Sequence, residues 1–385
     1  GVDIPTAMFQ SLNPLFIIIF APAVAYIWVK LGKIKKDPSS IFKMGLGTFI
    51  LGIGFLFMVL ASIEHRDGEK FVFSTSNKKI HVWELNSGKK FKTLDAHKNK
   101  VITAAISEDG KILISSDANN LLKIWETKTG NVTKTIDFKN DQITNVKISG
   151  EYIILGIKNG IIKTYNMDSE KITAEVKAHK NRISALAVSS NGKYLVSGSK
   201  DETIKVWQLS LLTEGKADPC QIITDHKNVI TDVSISGYGD YIGSCSLDNT
   251  MRVWKFEPKK KQYICEFVYE NGARSIAISQ NASYIVAGLK DGNINVWSFK
   301  KDKLSSPAVL KKHSRTVISL LISMDARFII SGSQDNTINI WEFNTLKKIK
   351  NTNNIKTTHS ALWGFKDAKS TMLWLVLAYL FHTIG

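Results

Sequence analysis

The chain repeats one local pattern seven times, an apolar and alternating run that closes on an aromatic residue. The seven closing residues are Trp83, Trp125, Tyr165, Trp207, Trp254, Trp297 and Trp341. They are separated by 42, 40, 42, 47, 43 and 44 residues. A period of this size sustained over most of a chain predicts a repeat array, because each unit must bury its apolar face against the next one.

The copy that ends at Trp207 shows what one unit contains. His179 precedes an apolar run at 183–188, an Asn-Gly pair, a second run at 195–199, the turn residue Asp201 and a third run. A fourth run falls between the aromatic residue of one copy and the histidine of the next, as at 134–138. Four short strands in each period predict an all-β propeller with seven blades.

These parts, in this order, resemble the WD-repeat family. The residues that carry the resemblance are four histidines, four turn acids and two Ser-Gly-Ser segments, namely His97, His179, His226, His313, Asp201, Asp248, Asp291, Asp335, 197–199 and 331–333. The resemblance covers residues 63–350 and implies a buried hydrogen-bond network within each blade. The side chains that it assigns to these networks are His97, His179, Ser197, Asp201, Trp207, His226, Asp248, Trp254, His313, Ser331, Asp335 and Trp341.

The first blade is predicted to be incomplete. Its turn at Asp67 and Gly68, its second strand from residue 71 and its third strand to Trp83 are present. No convincing inner strand or preceding histidine comes before them, since the chain runs there directly out of an apolar stretch. Such a blade would leave a sheet edge at the central channel.

The flanks of the repeat array belong to another physical class. Residues 12–29 and 41–63 form apolar runs, and a membrane-spanning helix needs about 20 such residues. A third run at 372–384 is too short to cross a bilayer, so we expect a truncated helix there. The alternative for the first two runs is a pair of helices buried in a soluble protein. The predicted domains are two transmembrane helices at 1–62, the propeller at 63–350, a linker at 351–370 and the truncated helix at 371–385.

The flanks at 1–62 and 370–385 also resemble the proton-dependent oligopeptide transporters of the major facilitator superfamily. The matching segments are 9–22, 30–32, 38–40, 43–47 and 374–385. The resemblance implies that Asn13 corresponds to a substrate-facing asparagine. The family's proton-coupling motif and most of its helices are absent, and alternating access needs two bundles around a midplane site. Transport by this chain alone is therefore not expected.

Two explanations for this combination of segments stay open. One is a propeller tethered to a membrane by its flanks, which makes the chain an integral membrane protein. The other is a chimeric gene model that joins a transporter fragment to a propeller, which alone would be cytosolic. Lysines at 30, 33, 35 and 36 place the first connection in the cytoplasm by the positive-inside rule, so the second helix would carry the propeller to the opposite side.

The sequence contains no signature of catalysis or of a cofactor. A catalytic triad needs one nucleophile, one base and one orienting group at one place, whereas these residues recur in every good copy. Cys220, Cys245 and Cys265 lack metal-ligand spacing, and no phosphate-binding glycine loop is present. We therefore predict a protein that is not an enzyme and that takes no metal or other cofactor.

The net charge of +17 raises the question of a nucleic-acid partner. Of the 51 basic residues 45 are lysine, which lacks the bidentate group favoured in base and phosphate recognition. A solvated surface is the preferred interpretation, and an RNA-associated propeller is a minor alternative. The leading prediction is an interaction scaffold with protein partners on the propeller faces, first at the loops 211–219 and 301–312, and with membrane lipid around the terminal helices. The alternative is a fragment of a proton-coupled di- or tripeptide transporter with an inserted propeller.

Overall fold

The computed structural model describes residues 71–84, 90–139, 141–216, 218–300, 303–343, 348–352 and 363–364. These residues form seven antiparallel sheets, each with four strands in the main path. The prediction of a seven-bladed propeller is thereby confirmed. The apolar runs at 12–29, 41–63 and 372–384, and with them Asn13, lie outside the described residues.

The first three blades follow the chain. Blade 1 contains β1 (Phe71–Ser76), β2 (Lys79–Glu84) and β3 (Lys90–Leu94). Blade 2 contains β4 (Val101–Ile106), β5 (Ile112–Asp117), β6 (Leu121–Glu126) and β7 (Asn131–Asp137). Blade 3 contains β8 (Ile143–Ser149), β9 (Tyr152–Ile157), β10 (Ile161–Asn166) and β11 (Lys171–Lys177).

The remaining blades differ mainly in their outer strands. Blade 4 contains β12 (Ile183–Val188), β13 (Tyr194–Ser199), β14 (Ile204–Gln208), the one-turn helix α1 (Leu209–Thr213) and β15 (Gln221–Ile223). Blade 5 contains β16 (Ile230–Ile235), β17 (Tyr241–Ser246), β18 (Met251–Glu257) and β19 (Gln262–Tyr269). Blade 6 contains β20 (Ala273–Ile278), β21 (Tyr284–Leu289), β22 (Asn293–Lys300), β23 (Lys303–Leu304) and β24 (Ala308–Lys311). Blade 7 contains β25 (Val317–Ile322), β26 (Phe328–Ser333), β27 (Ile338–Glu342) and β28 (Lys348–Thr352).

Burial along the strands follows their position in the blade. The second strands are buried on both faces, as in β13, whereas an outer strand such as β19 is exposed at alternate residues. A strand covered on both faces reads as a continuous apolar run, and one with a wet face alternates. Gly198 in β13 is required for close packing, because a Cβ there would lie 2.5 Å from Cγ2 of Ile230 in blade 5.

Apolar clusters between neighbouring blades close the ring. Each of the seven buried clusters takes residues from two successive blades. The cluster that joins the last blade to the first packs Trp83 against Phe328, Ile330, Ile338 and Ile340. Burial of apolar area is the main favourable term in folding, so the blades stabilise one another around the whole ring.

The inner strands share a device that links one blade to the next. Six of them carry a register shift at their second residue, which is a β-bulge that re-aims a side chain. In blades 3 to 5 this residue is Thr144, Ser184 or Thr231, and its hydroxyl donates to a backbone carbonyl in the inner strand of the following blade. The bonds satisfy carbonyls along the channel, where the inner strands have no further strand to pair with.

The inner strand of blade 1 comes from the other end of the propeller. The short strand β29 (Trp363–Gly364) pairs antiparallel with β1, with Phe73 opposite Trp363 and Val72 opposite Gly364. From the sequence alone we expect no strand at this position and assign residues 351–370 to a linker. That assignment misses β29, because two residues are too few to show a strand pattern. The blade has four strands, one of which lies nearly 300 residues away in sequence.

Residues 70–365 form one compact unit. Among the described residues, no helix combines the length and the apolar character that crossing a membrane requires.

Candidate functional site

The histidine network of blade 4 joins three parts of the blade. His179 lies four residues before β12, Ser197 lies in β13 and Trp207 in β14. Ser197 Oγ is 2.7 Å from His179 Nε2 and 2.9 Å from Trp207 Nε1. On the other side of the imidazole, Asp201 Oδ2 is 3.1 Å from Nδ1, and Thr203 donates to Asp201 Oδ1 at 2.7 Å. The structure thus brings together all four side chains assigned to this blade.

Blade 7 contains the same arrangement. Ser331 Oγ is 2.8 Å from His313 Nε2 and accepts from Trp341 Nε1 at 3.0 Å. Asp335 Oδ2 is 3.0 Å from His313 Nδ1, and Thr337 donates to the same carboxylate at 2.6 Å. The second predicted set is therefore also contiguous.

Blade 5 has the network without its tryptophan bond. His226 Nε2 is 2.6 Å from Ser244 Oγ, and His226 Nδ1 is 2.8 Å from Asp248 Oδ2. Trp254 Nε1 is buried and has no hydrogen-bond partner among the described residues. Its ring instead meets the imidazole of His226 edge-on, with centroids 5.8 Å apart. The assignment of Trp254 to a hydrogen-bond network is not what the geometry shows.

Blade 2 uses an acid that the sequence analysis misses. His97 Nε2 is 2.8 Å from Ser115 Oγ, which also accepts from Trp125 Nε1 at 2.9 Å. The carboxylate near His97 Nδ1 is that of Asp117, at 3.4 Å, and it lies at the end of β5 rather than in the following turn. Its position is two residues earlier than that of Asp201 in blade 4.

The missed serines and threonines lie at constant spacings from the histidines. From each histidine the bonded serine is 18 residues on, and the tryptophan is 10 residues beyond it, as with Ser115 and Trp125. The threonine that shares the carboxylate lies 24 residues after the histidine, as with Thr250. Aligning the copies on their histidines therefore identifies Ser115, Ser244, Thr203, Thr250 and Thr337.

The electrostatics of these networks favour a neutral imidazole beside an ionised carboxylate. Burial raises the pKa of Asp201, but hydrogen bonds from His179 and Thr203 outweigh it and hold that pKa well below its ordinary value. In blade 5 burial lowers the pKa of His226 against the opposing effect of Asp248. Since a carboxylate only accepts, Nδ1–H donates to it, and Nε2 of the neutral ring accepts from the serine hydroxyl.

The chemistry of a serine, histidine and aspartate set requires a substrate at the hydroxyl. In blade 4 the Ser197 and His179 side chains are 0% and 2% exposed, respectively. Ser197 is also shared between two ring nitrogens. The arrangement therefore connects the loop before the inner strand with the second and third strands of the blade. Networks of this kind stiffen a unique packing.

Blades 3 and 6 replace the network with other contacts. In blade 3 Tyr165 stands in place of tryptophan, and Lys163 Nζ bridges Asp141 at 2.7 Å and Glu175 at 3.0 Å. In blade 6 Asn295 donates to the hydroxyl of Tyr269 at 2.7 Å. The turn acid of blade 6, Asp291, bonds only with the following Asn293 among the hydrogen bonds of the described residues.

The inner strands enclose a central cavity of about 970 Å³. Its charged lining residues are Glu108, Lys147, Arg182, Lys200, Asp232, Arg274 and Lys290. Lys147 and Asp232 are half-buried in the wall. Burial lowers the pKa of Lys147 to about 8 and raises that of Asp232 to about 6. The Asp232 carboxylate accepts from the backbone N–H groups of Val233 and Ile276 at 2.9 Å each.

The cysteines are dispersed. Cys220 is exposed, Cys245 is buried and Cys265 is half-buried, and all three are free thiols. Burial raises the pKa of Cys245 far above its ordinary value. In the part of the chain that the structure describes, no three histidine, cysteine, aspartate or glutamate side chains cluster as metal ligands would.

Comparison with known proteins separates the flank from the repeats. Residues 1–101 match the POT family, and a peptide transporter of Yersinia enterocolitica, YePEPT, is 45% identical over 62 residues. That alignment covers 16% of this chain and 12% of the transporter. The family match extends through β1, β2 and β3 of the propeller to the first residue of β4.

The repeats match the family described as WD domain, G-beta repeat, at 88–126, 170–208, 217–255, 263–298 and 304–342. The nuclear distribution protein PAC1 of Candida albicans is 46% identical over 50 residues, which is 13% of this chain and 10% of that protein. The chain therefore spans about an eighth or less of each of these two relatives. The first three strands of blade 3, where the histidine network is missing, lie outside the five matches.

A solved structure supports the fold over a longer range. A chain in the crystal structure of a mitotic checkpoint complex superimposes with a TM-score of 0.62 at 18% sequence identity. The superposition covers 70% of this chain and 83% of that one. With seven blades, five repeat matches and four histidine-serine pairs in register, the described part of this chain is a WD-repeat β-propeller.

Proposed function

We propose that this protein is a non-catalytic scaffold that binds other proteins on the loop-bearing faces of its propeller. The observation that carries the proposal is the burial of the histidine networks, in which groups capable of chemistry are bonded to one another and closed to a substrate. Loops on a rigid frame are where binding residues usually lie. Turnover of any substrate that depended on Ser197 or His179 would contradict the proposal.

The loop after β14 is one candidate binding element. Its first part, α1, is structural, because Leu209 and Leu212 are buried in the cluster between blades 3 and 4. Residues 214–216 beyond it are exposed. A test of the loop should therefore replace 214–219 and leave Leu212 in place. The second predicted element, 301–312, contains β23 and β24, which both pair with β22, so it is in part a component of blade 6.

The scaffold role is tested by capturing the tagged full chain from native cells after mild crosslinking. The chain with a Gly/Ser segment at 214–219 is the variant, and a chain with a Gly/Ser segment at 258–261 is the matched control, since this is the equivalent loop of blade 5. If the chain is a scaffold, a partner protein should be recovered in an amount near equal to that of the chain. That protein should be lost with the 214–219 variant and retained with the 258–261 control. Recovery of no protein with the wild-type chain would defeat the proposal.

We also propose that the flanks attach the propeller to a membrane, which makes the chain an integral membrane protein. The similarity of residues 1–101 to the POT family supports this. A second support is the pairing of Val72 with Gly364, because it places the start and the end of the propeller side by side. Domains with adjacent ends can be inserted into one loop of a host. Retention of the chain in membranes after carbonate extraction is expected, and release into the supernatant would contradict it.

The transporter alternative rests on the same POT match. A chain that covers 12% of a peptide transporter would need the missing helices from elsewhere, because alternating access requires two bundles. Proton-driven uptake of a labelled dipeptide into vesicles containing only this chain is expected to be absent. Measurable uptake would favour the transporter function over the scaffold.

A further inference from the structure

One backbone hydrogen bond recurs where blades 2 to 7 meet the channel. The first residue after the second strand donates its N–H to the carbonyl of the last residue before the inner strand. The bond is 2.9 Å from Lys200 to Arg182 in blade 4 and 2.9 Å from Leu247 to Val229 in blade 5. In blade 6 it is 3.1 Å from Lys290 to Gly272. Each of these six blades therefore places a fixed pair of residues side by side, and we call the pairs of blades 4 to 6 the channel mouth.

The pairs differ in chemistry from blade to blade. Blade 4 presents two cations, Arg182 and Lys200, whose side chains have no hydrogen-bond or ion-pair partner among the described residues. Blade 5 presents two apolar residues, Val229 and Leu247, and Leu247 is 43% exposed. Blade 6 presents Lys290, which is exposed. An apolar step therefore lies between two cationic ones in consecutive blades.

Blade 6 provides a second cation, Arg274, beside the apolar pair of blade 5. Arg274 occupies the bulge position of β20, where blades 3 to 5 carry a threonine or serine. Its guanidinium donates to Ser246 O at 2.8 Å and to Asn249 Oδ1 at 3.0 Å, which are residues on either side of Leu247. Lys290 Nζ donates to the same Asn249 oxygen at 2.9 Å. The bonds fix the two cations beside Leu247 while leaving further N–H donors on each.

The charged residues that line the cavity at the channel mouth are all cations. Arg182, Lys200, Arg274 and Lys290 line the cavity there. The cavity lining contains two acids. Asp232 already accepts hydrogen bonds from two backbone N–H groups. Glu108 follows the last residue of β4, whereas the residues of the channel mouth precede the first residue of their inner strand or follow the second strand. The exposed acids of the same face, among them Glu202, Asp225 and Glu270, lie outside the cavity lining.

We propose that the channel mouth binds a short acidic segment of a partner protein, with an apolar side chain on Val229 and Leu247 and carboxylate or phosphate groups on the cations of blades 4 and 6. This inference rests on the scaffold function proposed above and names the chemistry of its partner. A guanidinium held in place pairs with a carboxylate or a phosphate in bidentate geometry. A nucleic-acid backbone would instead need a continuous cationic track, which Leu247 and the outer acids interrupt.

The probe is a fluorescein-labelled peptide, Gly-Gly-Asp-Glu-Leu-Asp-Glu-Gly-Gly, titrated with the full chain in mild detergent and followed by fluorescence anisotropy. One companion peptide replaces the central leucine with serine, and another replaces the four acids with lysine. A twelve-nucleotide uridine RNA with the same label reports nucleic-acid binding. We expect the acidic leucine peptide to bind most tightly and the lysine peptide not to bind.

Two variants at the mouth and one matched control locate the site. Arg182→Glu combined with Lys200→Glu should weaken peptide binding by about tenfold or more, because like charges then face each other. Leu247→Ser should weaken it by about threefold to tenfold, as expected when an apolar contact is lost. Lys227→Glu combined with Lys312→Glu makes the same charge change on the same face outside the cavity lining and should have little effect.

Several results would overturn the proposal. They are no binding of the acidic peptide, equal weakening by the control pair, no effect of the mouth variants, or tighter binding of the RNA than of the peptide. The capture experiment separates this failure from failure of the scaffold function. A partner that is retained by both mouth variants would leave the scaffold function in place and remove the mouth as its site.

Discussion

Blades 3 and 4 are neighbours with the same four strands, yet different interactions hold them together. Blade 4 is tied by a buried chain from Trp207 through Ser197 to His179. In blade 3 the residue in register with Ser197 is Leu155, which is fully buried. In blade 3 the ion pairs of Lys163 take the place of the network, and the side chains of its two partners are 22% and 51% exposed.

The difference between blades 3 and 4 shows which part of the repeat is essential to the fold. Both blades connect their third strand to the loop or strand beside it. Blade 4 does so with buried hydrogen bonds, and blade 3 does so with ion pairs near solvent. The ring accepts either solution, because the apolar clusters on both sides of each blade are continuous. The energetic signatures should differ, since buried hydrogen bonds are insensitive to salt and exposed ion pairs are not.

The largest effect should come from the aromatic anchors. Trp207→Ala should lower the free energy of unfolding by about 4 kcal/mol, through a cavity and an orphaned Ser197. Tyr165→Ala in blade 3 should cost about 3 kcal/mol, since a smaller ring is removed. Urea unfolding of the full chain followed by circular dichroism measures both. A larger loss in blade 3 would contradict the comparison.

The serine of the network should rank next. Ser197→Ala leaves two buried nitrogen atoms without their partner, so we expect a loss of about 3 kcal/mol. Ser244→Ala in blade 5 is the matched control, because Trp254 does not bond to that serine. It should cost about 1 kcal/mol less than Ser197→Ala. Equal losses in the same unfolding assay would mean that the tryptophan bond contributes nothing.

Acid should destabilise blade 4 through its carboxylate. The pKa of Asp201 is lower in the folded chain than its ordinary 3.8, so the unfolded chain binds more protons as the pH falls. Its stabilisation is present above that ordinary pKa and is lost as the pH falls toward the folded pKa. We expect a loss of about 1 kcal/mol between pH 7 and pH 3. The variant Asp201→Asn should be less stable than wild type at pH 7 and should lack this share of the pH dependence.

The lowered pKa of His226 acts in the same direction over a higher pH range. The unfolded chain takes up its proton as the pH falls below about 6.5, and the folded chain resists that uptake. Stability should therefore decrease from neutral pH downward. A pH profile of the urea midpoint that stayed flat from pH 7 to pH 5 would contradict the neutral imidazole in blade 5.

The smallest effect belongs to blade 3. Lys163→Met should cost about 1 kcal/mol at low salt, because ion pairs with partly exposed partners contribute little. The difference from wild type should shrink in 0.5 M NaCl, whereas the loss caused by Ser197→Ala should not change. Salt-independent destabilisation by Lys163→Met would show that packing of its stem, not its charge, holds the blade.

The sequence predicted the repeat architecture well, because seven aromatic anchors at one period leave few alternatives. It also predicted the histidine, serine, aspartate and tryptophan of the complete networks in blades 4 and 7. Alignment on the histidines would have added Ser115, Ser244 and the threonines of these networks. It did not predict the shift of the acid to Asp117 or the missing bond of Trp254. The acid is shifted by two residues, because position 119 is Asn where blade 4 has Asp201. The missing bond of Trp254 depends on side-chain geometry that a pattern of residue types does not encode.

Two further features are invisible in a linear reading. Strand β29 is too short to carry an alternating pattern, and its partner β1 lies at the other end of the propeller. The channel mouth is built from residue pairs of three blades, and a recurring backbone hydrogen bond holds the two residues of each pair together. Cationic residues such as Arg182 and Lys290 look like ordinary surface charges until the ring brings their blades together.

The central claim is that this propeller works by holding a protein partner. Its most direct test is crosslinking mass spectrometry of the full chain captured from native cells, with a carboxyl-to-amine reagent that joins lysines to acidic residues. If the propeller holds a protein partner, Lys200 and Lys290 should crosslink to an acidic segment of a protein that is recovered in an amount near equal to that of the chain. Crosslinks confined to the chain itself, with no protein recovered alongside it, would contradict the account.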